Sequence, residues 1–160
     1  MPTDHDYLYR AITLAQAAGE TGNLPVGAVI VLDDEIIAEG QNRLWIPVVN
    51  PSQHAEIDAI QKVPPALWKR AREMTLYTTL EPCLMCLSTI LLHHIGRVLY
   101  GANDPRGGAL CAIGHMPPSF EQFYKELIVE GPAMPEECDI LFHQMVDIIE
   151  TKNAKKANQP

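Results

Sequence analysis

The chain has 160 residues, of which 47% are hydrophobic and 20% charged, and 12 Lys and Arg set against 20 Asp and Glu leave a net charge of −8. This composition excludes a disordered or fibrous chain and fits one globular domain over 1–160, with residues 151–160 as a flexible tail. The acidic balance also argues against a dedicated polyanion binder, since phosphate affinity draws on basic residues that displace counterions.

In chain order, Leu8, Ile12 and Ala15 recur at helical spacing between Tyr7 and Ala18, with Gly22 as a stop. "VGAVIVL" reads as a buried strand, Asp33 and Asp34 as a hairpin turn, and "EIIAEG" as the antiparallel partner. Residues 42–51 form a loop broken by Pro47 and Pro51, after which Ser52 is the expected N-cap of a helix through "HAEIDAIQK". Beyond the Pro64-Pro65 break, "MTLYTTL" is rich in β-formers. Pro82 suits the first turn of a helix, and "CLMCLSTILLHHI" is apolar nearly all round, which predicts burial on all sides. "RVLYGA" is a further strand, "NDPRGGALCAIGHMPPS" a loop, "ELIVEG" a fifth strand, and 136–150 a closing helix. An opening hairpin followed by alternating strands and helices implies a mixed five-stranded sheet covered on both faces, a three-layer α/β/α domain.

No apolar run approaches the roughly 20 residues that cross a bilayer. The acidic start "MPTDHDYLYR" is unlike a signal peptide, so a cytoplasmic protein without a membrane partner is expected. Four cysteines, at 83, 86, 111 and 138, are too few and scattered for a disulfide scaffold and suit reduced thiols or metal ligands.

The pair Cys83 and Cys86 carries the chemistry. Alone, CxxC at a helix start after a strand fits a thiol redox pair, and a structural zinc clamp would need a second ligand pair. The adjacent His93 and His94, and the scattered Cys111, His115, Cys138 and His143, supply none and are read as structural. His54-Ala55-Glu56 shifts the reading. One imidazole and two thiolates, each at a helix start, make three ligands and leave the fourth tetrahedral position open, as in a catalytic zinc site. Cys83 and Cys86, at i and i+3, project from one helix face, and the helix N-terminus favours their thiolates. Glu56 is not needed as a ligand, so its expected role is proton transfer.

His-x-Glu followed by Pro-Cys-x-x-Cys is the pattern of zinc nucleobase deaminases. Through "LPVGAVIV", "GQNR", "HAEIDAI", "TLYTTLEPCLMC" and "GRVLYGANDP", residues 24–108 resemble the cytidine-deaminase-like superfamily. The similar branch holds tRNA adenosine, cytosine and guanine deaminases. The resemblance implies one Zn2+ per chain on His54, Cys83 and Cys86, catalysis by Glu56, substrate contacts at Asn42, Ala55 and Asp104, and usually a homodimer. It implies hydrolytic removal of an exocyclic amine from a nucleobase or nucleoside, with release of ammonia.

"PVGAV", "HAEI" and "LEPCxMC" are closest in wording to the tRNA wobble-adenosine deaminases, but "PRGGAL" departs from the loop usual there. The helix "DILFHQMVDIIE" has no Lys or Arg and offers Asp139, Asp147 and Glu150 instead. A small nucleobase or nucleoside is therefore the expected substrate and tRNA the alternative. The basic tail "KNAKK" is read as a solvated chain end. Trp45 is a candidate pocket wall. Phe120, Phe123 and Tyr124 read as the apolar side of a short helix, with a lid over a base as the alternative.

Overall fold

The computed structural model describes residues 1–157. The first helix, α1 (Asp4–Glu20), starts three residues before the sequence periodicity suggests. Thr3 and Asp6 form a reciprocal capping box that satisfies N–H groups otherwise left free. Tyr7, Leu8, Ala11, Ile12, Ala15 and Ala18 give α1 one buried face.

Strand β1 (Gly27–Leu32) is buried along its whole length, and β2 (Glu35–Gln41) returns antiparallel. Asp33 and Asp34, at φ 53° and 61°, make the turn between them. Two successive left-handed residues match the twist of a tight hairpin, and Asp tolerates that region better than most side chains.

The other strands are β3 (Thr75–Leu80), β4 (Arg97–Ala102) and β5 (Ile128–Glu130), and the sheet order is β2-β1-β3-β4-β5. β1 runs antiparallel to β3, while β3, β4 and β5 are parallel to one another. Helices α2 (Ala55–Lys62) and α3 (Leu84–Leu92) follow β2 and β3, α4 (Pro118–Tyr124) precedes β5, and α5 (Pro135–Ala157) follows it.

Two glycines show how tightly the layers close. A Cβ at Gly27 would lie 2.1 Å from the Ala11 carbonyl oxygen of α1, and one at Gly40 would lie 2.1 Å from that of Ala55 in α2. Gly27 pairs with Gln41, and its neighbour Ala28 pairs with Gly40, so these contacts fall on opposite faces of the sheet. The expected mixed five-stranded α/β/α arrangement is present. Among the described residues no helix is long and apolar enough to cross a membrane.

Four local expectations are corrected. Ser52 is not the N-cap of α2. His54 holds that position without a side-chain cap, and Ser52 Oγ donates to Asn50 Oδ1 instead. Pro82 lies outside α3, whose N-cap is Cys83. α3 is not buried all round, because Cys86, Leu87, Ile90 and Leu91 face the sheet while Leu84 and Leu92 remain 56% and 57% exposed. The closing helix does not stop at Glu150 but continues to Ala157, so 151–157 are helical; residues 158–160 of the expected tail lie outside the described residues. Between α2 and β3, where the sequence shows only a proline break, Pro65–Glu73 forms 3-10 turns.

Candidate active site

His54 ends the loop after β2, Cys83 ends the turn after β3, and Cys86 lies in the first turn of α3. Both helix starts therefore open into one space. His54 Nδ1 lies 3.5 Å from Cys83 Sγ and 3.6 Å from Cys86 Sγ, and the three donor atoms all fall within 4.8 Å of one another. Zinc bonds of ~2.3 Å to sulfur and ~2.0–2.1 Å to nitrogen give tetrahedral N···S edges of about 3.6 Å. The donor set and spacing fit zinc, and these three residues could hold it.

Protonation supports that fit. The Cys86 S–H and the His54 imidazole hold the Cys83 thiol down to about 4, while the neighbouring Cys83 thiolate and burial push Cys86 strongly upward. Cys83 in turn raises His54. A dication at the common centre of the two sulfurs would stabilise both as thiolates.

Glu56 is 4% exposed and stands outside the ligand group. Thr78 Oγ1 donates to its Oε1 and Cys86 Sγ to its Oε2, both at 3.4 Å. Burial raises its pKa above the ordinary glutamate value. A carboxyl group whose hold on a proton is strengthened in this way suits acid–base catalysis, which needs a group that can both take and return one.

These groups border a cavity of about 70 Å³. Its polar wall is Asn42, His54, Glu56, Glu81, Cys83 and Asp104, and its apolar wall is Leu24, Val26, Leu80 and Met145. Asn42 is 2% exposed, and its Oδ1 accepts from Leu24 N (3.4 Å) and Leu44 N (3.1 Å). Asp104 Oδ1 accepts from the backbone N–H of Arg106 and Gly107, both at 2.9 Å, which shapes the loop after β4. Ala55 is fully buried and is not part of the cavity wall. Phe120, Phe123 and Tyr124 pack against the core and do not line the cavity either. Cys111 is exposed, and Cys138 is buried where α5 presses on Gly101.

The sequence reading gave Glu81 no role. Its Oε2 accepts from Asp104 N and its Oε1 from Leu110 N, each at 3.1 Å, so one carboxylate anchors the loop that carries Asp104. A Cβ at Gly108 would lie 2.3 Å from Glu81 Cδ, so a larger residue there would displace the carboxylate from its two N–H partners. Only the position of Glu81, at a strand end next to Pro82-Cys83, marks it in the sequence. Its partners lie 23 and 29 residues away.

A sheet with this order and a His-Cys-Cys centre beside a buried glutamate define the zinc-dependent nucleobase and nucleoside deaminases. The family described as the cytidine and deoxycytidylate deaminase zinc-binding region matches residues 1–102, and the chain belongs to that family. It is an enzyme of the zinc-dependent hydrolytic deaminases. It is 37% identical over 140 residues to a tRNA-specific adenosine deaminase of Bacillus subtilis, covering 86% of this chain and 85% of the relative. A second tRNA-specific adenosine deaminase, from Agrobacterium fabrum, is 42% identical over 105 residues, covering 65% of this chain and 68% of that one. A solved structure from a study of A-to-I editing by tRNA:A34 deaminases at the wobble position superposes with a TM-score of 0.70 at 33% identity, over 86% of this chain and 99% of that one. Bacillus subtilis guanine deaminase gives a TM-score of 0.57 at 39% identity, over 64% of this chain and 66% of that one.

Proposed function

We propose that this enzyme deaminates adenosine presented within tRNA, with water as co-substrate and ammonia as product. The observation that carries this reading is the length of α5. The expectation of a small substrate rests on a closing helix without Lys or Arg. The helix runs on to Ala157 and so includes Lys152, Lys155 and Lys156 beyond its acidic middle. Cations on a helix end supply what a phosphate backbone needs. The likeness to tRNA-specific adenosine deaminases over 86% of the chain supports the same substrate. A free nucleobase or nucleoside is the second reading, favoured by the net charge of −8.

Zinc on His54, Cys83 and Cys86 supplies Lewis acidity that brings the pKa of water from 15.7 toward about 7. Glu56 takes one proton from water and returns it to the ring nitrogen; it then takes the second proton of that water from the new C–OH group and delivers it to the amine, which leaves as ammonia as the C=O bond forms. Asn42 holds the base. Its Oδ1 is committed to two backbone N–H groups, which leaves its Nδ2 to donate toward the cavity. Leu24, Val26, Leu80 and Met145 supply the apolar surface against which a planar ring packs. Asp104, held by Glu81, borders the opposite side.

Ammonia release should be measured with a tRNA anticodon stem-loop, adenosine, and free adenine, guanine and cytosine. The expected result is turnover of the stem-loop with a KM that rises steeply with salt. Turnover confined to free bases or nucleosides, insensitive to salt, would replace this reading by the second.

We also assign the enzyme to the cytoplasm, the compartment of tRNA maturation, and assign a second copy of the chain to the outer face of α3. Leu84 and Leu92 are exposed there, beside a groove of about 470 Å³ walled by Ile57, Ile60, Trp68 and Met85. Exposed apolar side chains beside an apolar groove suit an interface. Sedimentation at micromolar concentration should give a dimer, and Leu92→Glu should give a monomer. A wild-type monomer at that concentration removes the assignment.

A further inference from the structure

Trp45 and Lys152 form a feature that the deamination chemistry does not use. Lys152 Nζ sits 3.9 Å from the centroid of the Trp45 ring. Trp45 is half-buried, packed against the core and covered by this ammonium. It lies three residues after the cavity-lining Asn42. Lys152 lies seven residues, two helical turns, beyond the cavity-lining Met145 of α5. Two elements that line the cavity, the loop after β2 and α5, thus also meet at this pair.

The ring is also held rigidly. Asn23 Oδ1 accepts from the backbone N–H of Trp45 (2.9 Å) and Ile46 (3.1 Å), and Asn23 Nδ2 donates to the Ile46 carbonyl at 3.2 Å. Asn42 Oδ1 ties Leu44 N to Leu24 N. Both asparagines are 2% exposed. Two buried carboxamides therefore fasten 42–46 to 23–24, and the indole is fixed relative to Asn42. A preorganised aromatic surface loses little entropy when a ligand stacks on it.

We propose that Trp45 is a stacking platform for a nucleobase flanking the target nucleotide, and that Lys152 transfers from the indole face to that nucleotide's phosphate when RNA binds. This rests on the tRNA reading above. A planar base and an ammonium compete for one ring face, since both are drawn to its π-electrons. The displaced cation gains a phosphate in exchange, so no charge is left unpaired. The second tie of α5 to the rim is Glu150, which accepts from Arg106 at 3.0 Å; both side chains are 59% exposed, so the ion pair is weak and opens readily.

The chain has two tryptophans, so in a Trp68→Phe background Trp45 alone reports fluorescence. Zinc-loaded protein of that background should be titrated with an anticodon stem-loop RNA. Expected is a saturable quench of Trp45. In kinetics, Trp45→Ala should lower kcat/KM for the stem-loop relative to that for free adenosine by about tenfold, chiefly through KM. Trp45→Phe should recover most of that loss. Lys152→Gln should reduce the slope of log KM against log salt by about 0.7, the value of one phosphate contact on a single strand. Quenching without RNA deamination keeps the platform and removes the tRNA substrate. RNA deamination without quenching, or a Trp45→Ala loss equal for both substrates, removes the platform and keeps the substrate. Absence of both quenching and RNA deamination removes both.

Discussion

Glu56→Ala is expected to lower kcat by about 10⁴-fold while leaving one zinc per chain. General acid–base groups contribute ~10²–10⁴-fold, and Glu56 is asked to carry two protons in one turnover, so the upper end applies. It is the carboxylate in the wall that stands beside the ligands, is 4% exposed, and has its pKa raised by burial. With Cys86 a thiolate on zinc, Thr78 Oγ1 is the donor left to its carboxylate, at a long 3.4 Å, so the group is not consumed by a strong partner. Glu56→Gln keeps the shape and removes the base, so it should be equally slow yet bind substrate with little change. Metal content, kcat and substrate affinity measured together check this. Normal zinc with turnover within tenfold of wild type would overturn the assignment.

Cys86→Ala is expected to abolish zinc binding and, with it, activity. Cys86 is fully buried at the start of α3, and its sulfur lies 3.6 Å from His54 Nδ1. Removing it leaves two ligands and an apolar gap, and no Asp, Glu, His or Cys among the described residues forms another such group with His54. Elemental analysis should fall from one zinc per chain to near none, and His54→Ala should do the same. Because metal binding free energy adds to folding free energy, wild-type Tm should also drop on chelation, whereas that of Cys86→Ala should not respond. Full zinc retention in Cys86→Ala would refute the ligand set. A metal-free wild type with a reversible Cys83–Cys86 disulfide would restore the thiol-redox reading of CxxC.

The two expectations that the structure changed most both involve α5 and α3. The periodic, apolar part of the last helix ends near Glu150, and "TKNAKKA" has no hydrophobic face to predict burial or pairing. It is nonetheless helical because α5 is already nucleated upstream, so each added residue extends an existing helix at little cost. Lys152 also finds Trp45, more than a hundred residues away. For α3, composition shows that nearly every side chain is apolar but not which side meets the sheet. That depends on how the helix sits over β3 and β4, and it leaves Leu84 and Leu92 outside.

What the sequence determined by itself is the candidate zinc centre with its neighbouring glutamate and the order of elements. His54, Glu56, Cys83 and Cys86 are legible because ligand chemistry constrains residue type, and placement at helix starts constrains spacing. Both are local. Asp33-Asp34 is legible for the same reason, as a hairpin turn asks for two left-handed residues in succession. Only the tertiary structure decided what encloses the centre. Glu81 became the anchor of the Asp104 loop, Leu24 and Met145 became cavity wall, Ala55 was withdrawn into the core, and His54 displaced Ser52 from the start of α2. Each outcome is settled by packing between segments far apart in the chain, where shape and burial rather than local propensity set the free energy.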